Sequence, residues 1–141
     1  MPKVFIQAPS DQVFKALSDL TRHAKWASHK INIVAGQVGP PAVGNSYTSA
    51  HAKAKGPDRL TVTEMSPNER FAFHVVMPNS WQFDFTMTSN PQGGGTLVTR
   101  KARVTKIPAL MLPLRLLFPL VAGLYDGKFL RNMKADLERS G

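Results

Sequence analysis

Phe71-Ala72-Phe73-His74-Val75-Val76-Met77 and, after Pro78-Asn79-Ser80, Trp81-Gln82-Phe83-Asp84-Phe85-Thr86-Met87-Thr88 are the segments from which the fold is read. Phe71, Phe73, Val75 and Met77 recur at every second position, as do Trp81, Phe83, Phe85 and Met87. A period of two is that of strands with one buried face. Gln82, Asp84, Thr86 and Thr88 take the opposite face of the second run, so one side of the sheet is apolar and the other polar. Outward in both directions the same period continues. Asn90-Pro91-Gln92-Gly93-Gly94-Gly95 reads as a hairpin turn, and Thr96 to Lys106 as a long closing strand. Upstream, strands are expected at Leu60 to Met65, Ser46 to Lys53 and, with weaker alternation, Lys30 to Val38. Ser66-Pro67-Asn68-Glu69 and Gly39-Pro40-Pro41-Ala42-Val43-Gly44 separate them as turns.

The two ends are of different character. Val4 to Ala8 is a short strand stopped by Pro9; Ser10 then offers an N-cap, and Val13, Phe14 and Leu17 form a helical stripe. A second helical turn, Leu20 to Ala27, carries Trp26. At the C-terminal end Tyr125, Phe129, Met133 and Leu137 recur every four residues, with Lys128, Arg131, Lys134, Glu138 and Arg139 on the other face. That is an amphipathic helix. Between the last strand and this helix lies Pro108 to Tyr125, apolar except for Arg115 and interrupted by Pro113, Pro119 and Gly123. The order is strand, two short helices, about six antiparallel strands and one long helix. Strands in succession joined by short turns make a meander whose apolar face must be covered. The C-terminal helix is the element large enough to cover it. No repeat or long polar linker divides residues 1–141, so one α+β domain is expected.

Composition sets limits on the chemistry. The chain has 141 residues, 43% of them hydrophobic, with a formal charge of +9 and no cysteine. The apolar fraction supports a continuous core. Without cysteine there is no disulfide scaffold, thiolate metal site or cysteine nucleophile. The four histidines lack metal-binding spacing and no Gly-x-Ser-x-Gly elbow occurs, so neither metal nor cofactor is expected. Gly93-Gly94-Gly95 precedes a strand, whereas a phosphate-cradling loop opens a helix. The first residues show no secretory signal, and with the missing cysteines this points to a cytoplasmic protein.

Several segments together resemble the START/Bet v 1-like superfamily, in its polyketide cyclase/dehydrase-like branch. They are Ile6-Gln7-Ala8-Pro9-Ser10-Asp11-Gln12-Val13-Phe14, the helix pair Leu17 to Trp26, Val43-Gly44, the hairpin Val62 to Phe73, and Gly94-Gly95-Thr96-Leu97-Val98-Thr99. The resemblance implies a helix-grip fold: a curved seven-stranded antiparallel sheet wrapped round the C-terminal helix, with a cavity between them. It is compatible with binding of lipids, steroids or aromatic molecules, with cyclisation or dehydration, and with association with ribosomes. The Pro108–Gly123 stretch departs from the family pattern in being strongly apolar and proline-rich.

Within that frame the candidate ligand-binding residues are Phe71, Phe73, Trp81, Phe83, Phe85, Tyr125, Phe129 and Met133, which should meet inside. Each would also serve as plain core; as a group they suit a lined cavity for a hydrophobic small molecule. Polar candidates are His51, on one face with Tyr47 and Ser49; Glu64, on one face with Leu60 and Val62; and Arg100, on one face with Val98, Ala102 and Val104. A charged side chain facing a cavity orients a carboxylate or phenolate, or poises an acid–base step using His51 or Arg100 with Glu64. Solvated rim charges are the alternative for each.

The remaining partners are surfaces. Arg115 and three prolines argue against a span through the membrane by the run 107–125. It is expected to line or lid the cavity mouth, where flanking Lys106, Lys128 and Arg131 would favour an anionic membrane surface. The 18 basic residues are dispersed, with no run of five, so no specific nucleic-acid readout is expected. Lys101 and Arg103 with Lys128, Arg131 and Lys134 could still form one positive patch for RNA backbone or anionic lipid. No feature specifies an oligomer.

Overall fold

The computed structural model describes residues 2–27, 30–50 and 56–140. Its strands are β1 (Lys3–Ile6), β2 (Asn32–Ala35), β3 (Ser46–Ala50), β4 (Asp58–Ser66), β5 (Arg70–Val76), β6 (Gln82–Gln92) and β7 (Gly95–Lys106). They form one antiparallel sheet in the order β1-β7-β6-β5-β4-β3-β2. Strands β2 to β7 are a meander, and β1 adds beside the last of them in the register Lys3↔Thr99 to Ile6↔Thr96. Helix α1 (Ser10–Leu17) and a 3₁₀ helix, Leu20–Lys25, therefore carry the chain from one sheet edge to the other. A second 3₁₀ helix, Ala109–Leu116, leads into the long α2 (Phe118–Ser140).

The local chemistry explains most of these boundaries. Pro9, extended at φ −62°, is the cap of α1, and Ser10 is its first helical residue. The Ser10 hydroxyl is held by Thr96 Oγ1 at 3.2 Å instead of capping, because β7 passes beneath it. Asp19 caps the first 3₁₀ helix, accepting from Thr21 N at 3.1 Å and from its hydroxyl at 2.6 Å. The β6–β7 hairpin is tighter than the sequence predicts: only Gly93 and Gly94, at φ 49° and 86°, lie outside the ladder. Two left-handed residues match the strand twist, and glycine adopts them without a Cβ penalty. Pro91 is tolerated inside β6 because β5 pairs only as far as Thr88, so nothing requires its missing N–H.

Two registers differ from simple alternation. A bulge between Val62 and Glu64 in β4 inserts one residue, so Met65 pairs with inward Phe71 and Glu64 pairs with Ala72. Glu64 consequently turns to solvent and binds Arg70 Nε at 2.9 Å, away from the face of Leu60 and Val62. Helix α2 begins at Phe118, seven residues before Tyr125, with Pro119 in its first turn where no intrahelical N–H bond is lost.

The core lies between the sheet, α1 and α2. Ile6, Leu17, Leu20, Trp26, Phe71, Met87, Leu130, Met133 and Leu137 are fully or almost fully buried. Polar links fix α2 over the sheet. Trp26 Nε1 donates to Asp136 at 2.9 Å, Lys134 Nζ donates to Phe5 O at 2.7 Å, and Glu138 accepts from Gln7 N at 2.8 Å.

Candidate functional site

Where the C-terminal half of α2 grips the sheet, packing is dense; towards its N-terminal half the sheet curves away and a cavity of about 500 Å³ opens. That volume is within the range of sites for small molecules. Strand alternation supplies most of the wall: Phe73 and Val75 from β5, Phe83 and Phe85 from β6, Leu60 from β4, and Ala102 from β7. Ile31 and Ile33 close one side. Phe118, Val121, Ala122 and Tyr125 of α2 form the rim, and Tyr125 is 59% exposed there. Phe73 and Phe85 stack at 5.1 Å between centroids, and Phe118 stacks on Phe83 at 5.1 Å, tying the start of α2 to the sheet.

Arg100, Asp126 and His23, together with Asp58 at the start of β4, are the charged or imidazole side chains that interrupt this apolar wall. Arg100, projecting inward from β7, donates from Nε to Asp126 Oδ1 of α2 at 2.8 Å; both are buried. The guanidinium lies over the Phe129 ring, 3.6 Å from its centroid, and within 4.8 Å of Phe85. Its Nη1 is buried with no hydrogen-bond partner among the described residues. Burial pulls Arg100 below its ordinary pKa while Asp126 draws it back. Burial likewise pushes the Asp126 carboxyl up while Arg100 restrains it. His23 belongs to the first 3₁₀ helix. Burial, and then the charge of Arg100, push it down to about 3, so its ring is neutral near pH 7. Its Nε2 lies 2.8 Å from Leu17 O, so that nitrogen carries the proton and donates. The ring packs among Trp26, Phe73 and Phe129, with centroids 5.2 to 5.9 Å away.

Of the residues singled out from the sequence, Phe73, Phe83, Phe85, Arg100, Tyr125 and Phe129 line this cavity. Tyr47, Phe71 and Met133 lie in the packed core beneath it. Trp81 precedes β6 and stacks on Phe83 at 5.9 Å without lining the cavity. His51 lies outside the described residues. Glu64, turned out by the bulge, does not approach Arg100; Asp126 is the carboxylate that does. Asp126 and His23 were the residues sequence reasoning missed. Asp126 could have been found by following a 3.6-residue period backward from Leu137 through Met133 and Phe129, which reaches Asp126 and Ala122. A strict spacing of four drifts by about 40° per step and selects Tyr125 instead.

The expected single basic patch is divided between two faces. Lys101 and Arg103 alternate with inward Arg100 and Ala102, so they lie on the outer face of the sheet. Lys128 and Arg131 project from the side of α2 away from the sheet, and Lys134 is engaged by Phe5 O and Glu138.

Comparison with known proteins follows the same outline. The sequence profile of the family described as polyketide cyclase / dehydrase and lipid transport matches residues 3–138. Protein MLL2253 from Mesorhizobium loti has a similar structure, with TM-score 0.72 and 18% identity over 99% of this chain and 96% of its own. The di-domain ARO/CYC StfQ from the steffimycin biosynthetic pathway gives TM-score 0.75 and 14% identity, over 98% of this chain and 49% of its own. The KanY protein gives 0.68 and 22%, over 96% of this chain and 94% of its own. These likenesses show the fold. No curated protein matches the sequence.

Proposed function

The chain belongs to the polyketide cyclase / dehydrase and lipid transport family, and from that premise we propose that it binds a hydrophobic small molecule, aromatic or lipid-like, between the sheet and α2. The observation that carries this reading is the cavity of about 500 Å³ whose apolar wall ends at a buried guanidinium with an Nη1 that has no partner among the described residues. Apolar burial supplies affinity, and an oxygen at one end of the ligand, carbonyl, carboxylate or phenolate, satisfies Nη1 and fixes orientation. Stacked rings on the wall favour a planar aromatic body.

Native mass spectrometry of gently extracted protein, with displacement of an apolar fluorescent dye, tests the reading. Wild type is expected to carry or exchange an apolar ligand. Ala102→Trp, which fills the wall opposite Phe85, is expected to weaken dye binding by about tenfold or more. A folded wild type that neither carries a ligand nor binds the dye would refute it.

A second reading, cyclisation or dehydration in the same cavity, draws on the same Nη1. A buried N–H directed at a ligand carbonyl stabilises the oxyanion that forms when a neighbouring carbon is deprotonated or attacks. Asp126, its pKa raised by burial, is the nearby group to accept and return a proton. Turnover of a poly-β-keto thioester to a cyclised or dehydrated product, lost in Arg100→Lys with dye binding retained, would support catalysis. Binding without turnover leaves the first reading.

A further inference from the structure

Leu110, Leu116, Leu120 and Leu124 are 95, 88, 73 and 74% exposed. Single leucines at a surface are ordinary, but four standing clear of the protein within one short segment are not. Leu120 and Leu124 lie one turn apart on the solvent side of α2, and the same side continues as exposed Lys128 and Arg131. Exposed Lys106 precedes the segment, exposed Arg115 lies within it, and the sequence has no Asp or Glu between Asp84 and Asp126. Asp126 itself is buried against Arg100. The exposed side of this segment is therefore leucine among cations, without a carboxylate of its own.

We propose that this segment, residues 106–131, seats the protein on an anionic lipid bilayer, with the leucines in the acyl boundary and the cations at the headgroup phosphates. Charge selects this occupant. A second copy joined about a twofold axis would set these cations against their own equivalents. An acidic protein partner would have to provide a groove deep enough for side chains that protrude on all sides. A bilayer with anionic headgroups offers hydrocarbon and countercharge together. Among the described residues no helix is long and apolar enough to cross a membrane, so the segment lies in the interface. Phe118, Val121 and Tyr125, interleaved with the docking leucines, form the rim of the cavity, so docking brings its mouth to headgroup level.

Co-sedimentation of the full chain with phosphatidylcholine–phosphatidylglycerol vesicles, against pure phosphatidylcholine vesicles, tests the assignment. Wild type is expected to partition onto the anionic vesicles and to be partly released by salt. Leu116→Glu with Leu120→Glu is expected to lower the partition coefficient by about tenfold or more. Lys128→Gln with Arg131→Gln should weaken binding and flatten its salt dependence. All four side chains are exposed, so thermal melts should match wild type, and sedimentation velocity without vesicles should show a monomer. Wild type remaining in solution with anionic vesicles, equal partition onto neutral ones, or unchanged partition of the leucine variant would overturn the proposal. So would a wild-type dimer that the leucine substitutions dissociate, which would make a second copy the occupant. Vesicle binding is measured without added ligand, so its failure leaves the cavity reading standing.

Discussion

Asp126→Asn leaves a guanidinium buried over Phe129 without its countercharge. Removing one partner of such a buried pair costs about 3–5 kcal/mol, whereas replacing both by apolar side chains of similar size costs far less. Urea unfolding is expected to rank the single variant well below the double Arg100→Met, Asp126→Leu; equal losses would show that the pair is not coupled. On the outer face, His74 Nδ1 lies 2.6 Å from Asp84 and Nε2 lies 2.9 Å from Gln82 Oε1. The bond to Asp84 raises its pKa above the ordinary 6.5, since only the imidazolium donates from both nitrogens. A group raised on folding contributes stability that is fully present below pH 6.5 and is lost as pH rises through the folded value. Wild type should thus lose urea resistance across that window relative to His74→Gln, and parallel profiles would contradict the assignment. The inward direction of Arg100 was legible from alternation with Val98 and Ala102. Its partner was not, because a spacing of four hides a 3.6-residue stripe. Glu64 was misplaced because no residue type announces the extra position of a bulge.

At the scale of elements, Gly95 shows how closely the first strand and the last hairpin approach. A Cβ there would lie 2.5 Å from the Phe5 ring and 2.6 Å from Ile6 O, a backbone atom that cannot move without disturbing the β1–β7 ladder. Gly95→Ala is expected to cost about 1–3 kcal/mol as overpacking. Gly94→Asn, in open space at φ 86° where asparagine is tolerated, should cost much less. Urea midpoints of the two variants check the contrast. The alternation of β5 and of β6 as far as Thr88 was legible because one buried face imposes a strict period, whereas the end of β6 at residues 90–92, where Pro91 and the glycines read as turn, was not. Nor was the start of α2. Its first two turns project leucines to solvent, so no amphipathic pattern marks them as helix, and Pro119 reads as a break although the first helical turn accommodates it.

For the whole molecule, the apolar fraction was more informative than the charge. It marked the faces that meet round the cavity, whereas the sum of +9 says nothing of placement, and the topology sends Lys101 and Lys128 to opposite sides. A ligand held only by the folded state adds stability by mass action, about 2.7 kcal/mol at a free concentration one hundred times Kd. Protein stripped of ligand by unfolding and refolding is therefore expected to melt lower than protein as isolated, and returning the extracted material should restore the difference. An unchanged melting temperature after stripping would count against a resident ligand.

The pairing of β1 with β7 also bears on the order of events during synthesis. Lys3 finds its partner Thr99 only after nearly the whole sheet has been translated, and the helix that covers both strands is made later still. Until β7 is made, β6 is an open edge, and the apolar side chains around Ile6 have no strand to join. Folding of this chain on the ribosome is thus gated by its distal half. Variants that slow closure of the β6–β7 hairpin should lower the yield of soluble protein more than their effect on equilibrium stability alone would account for.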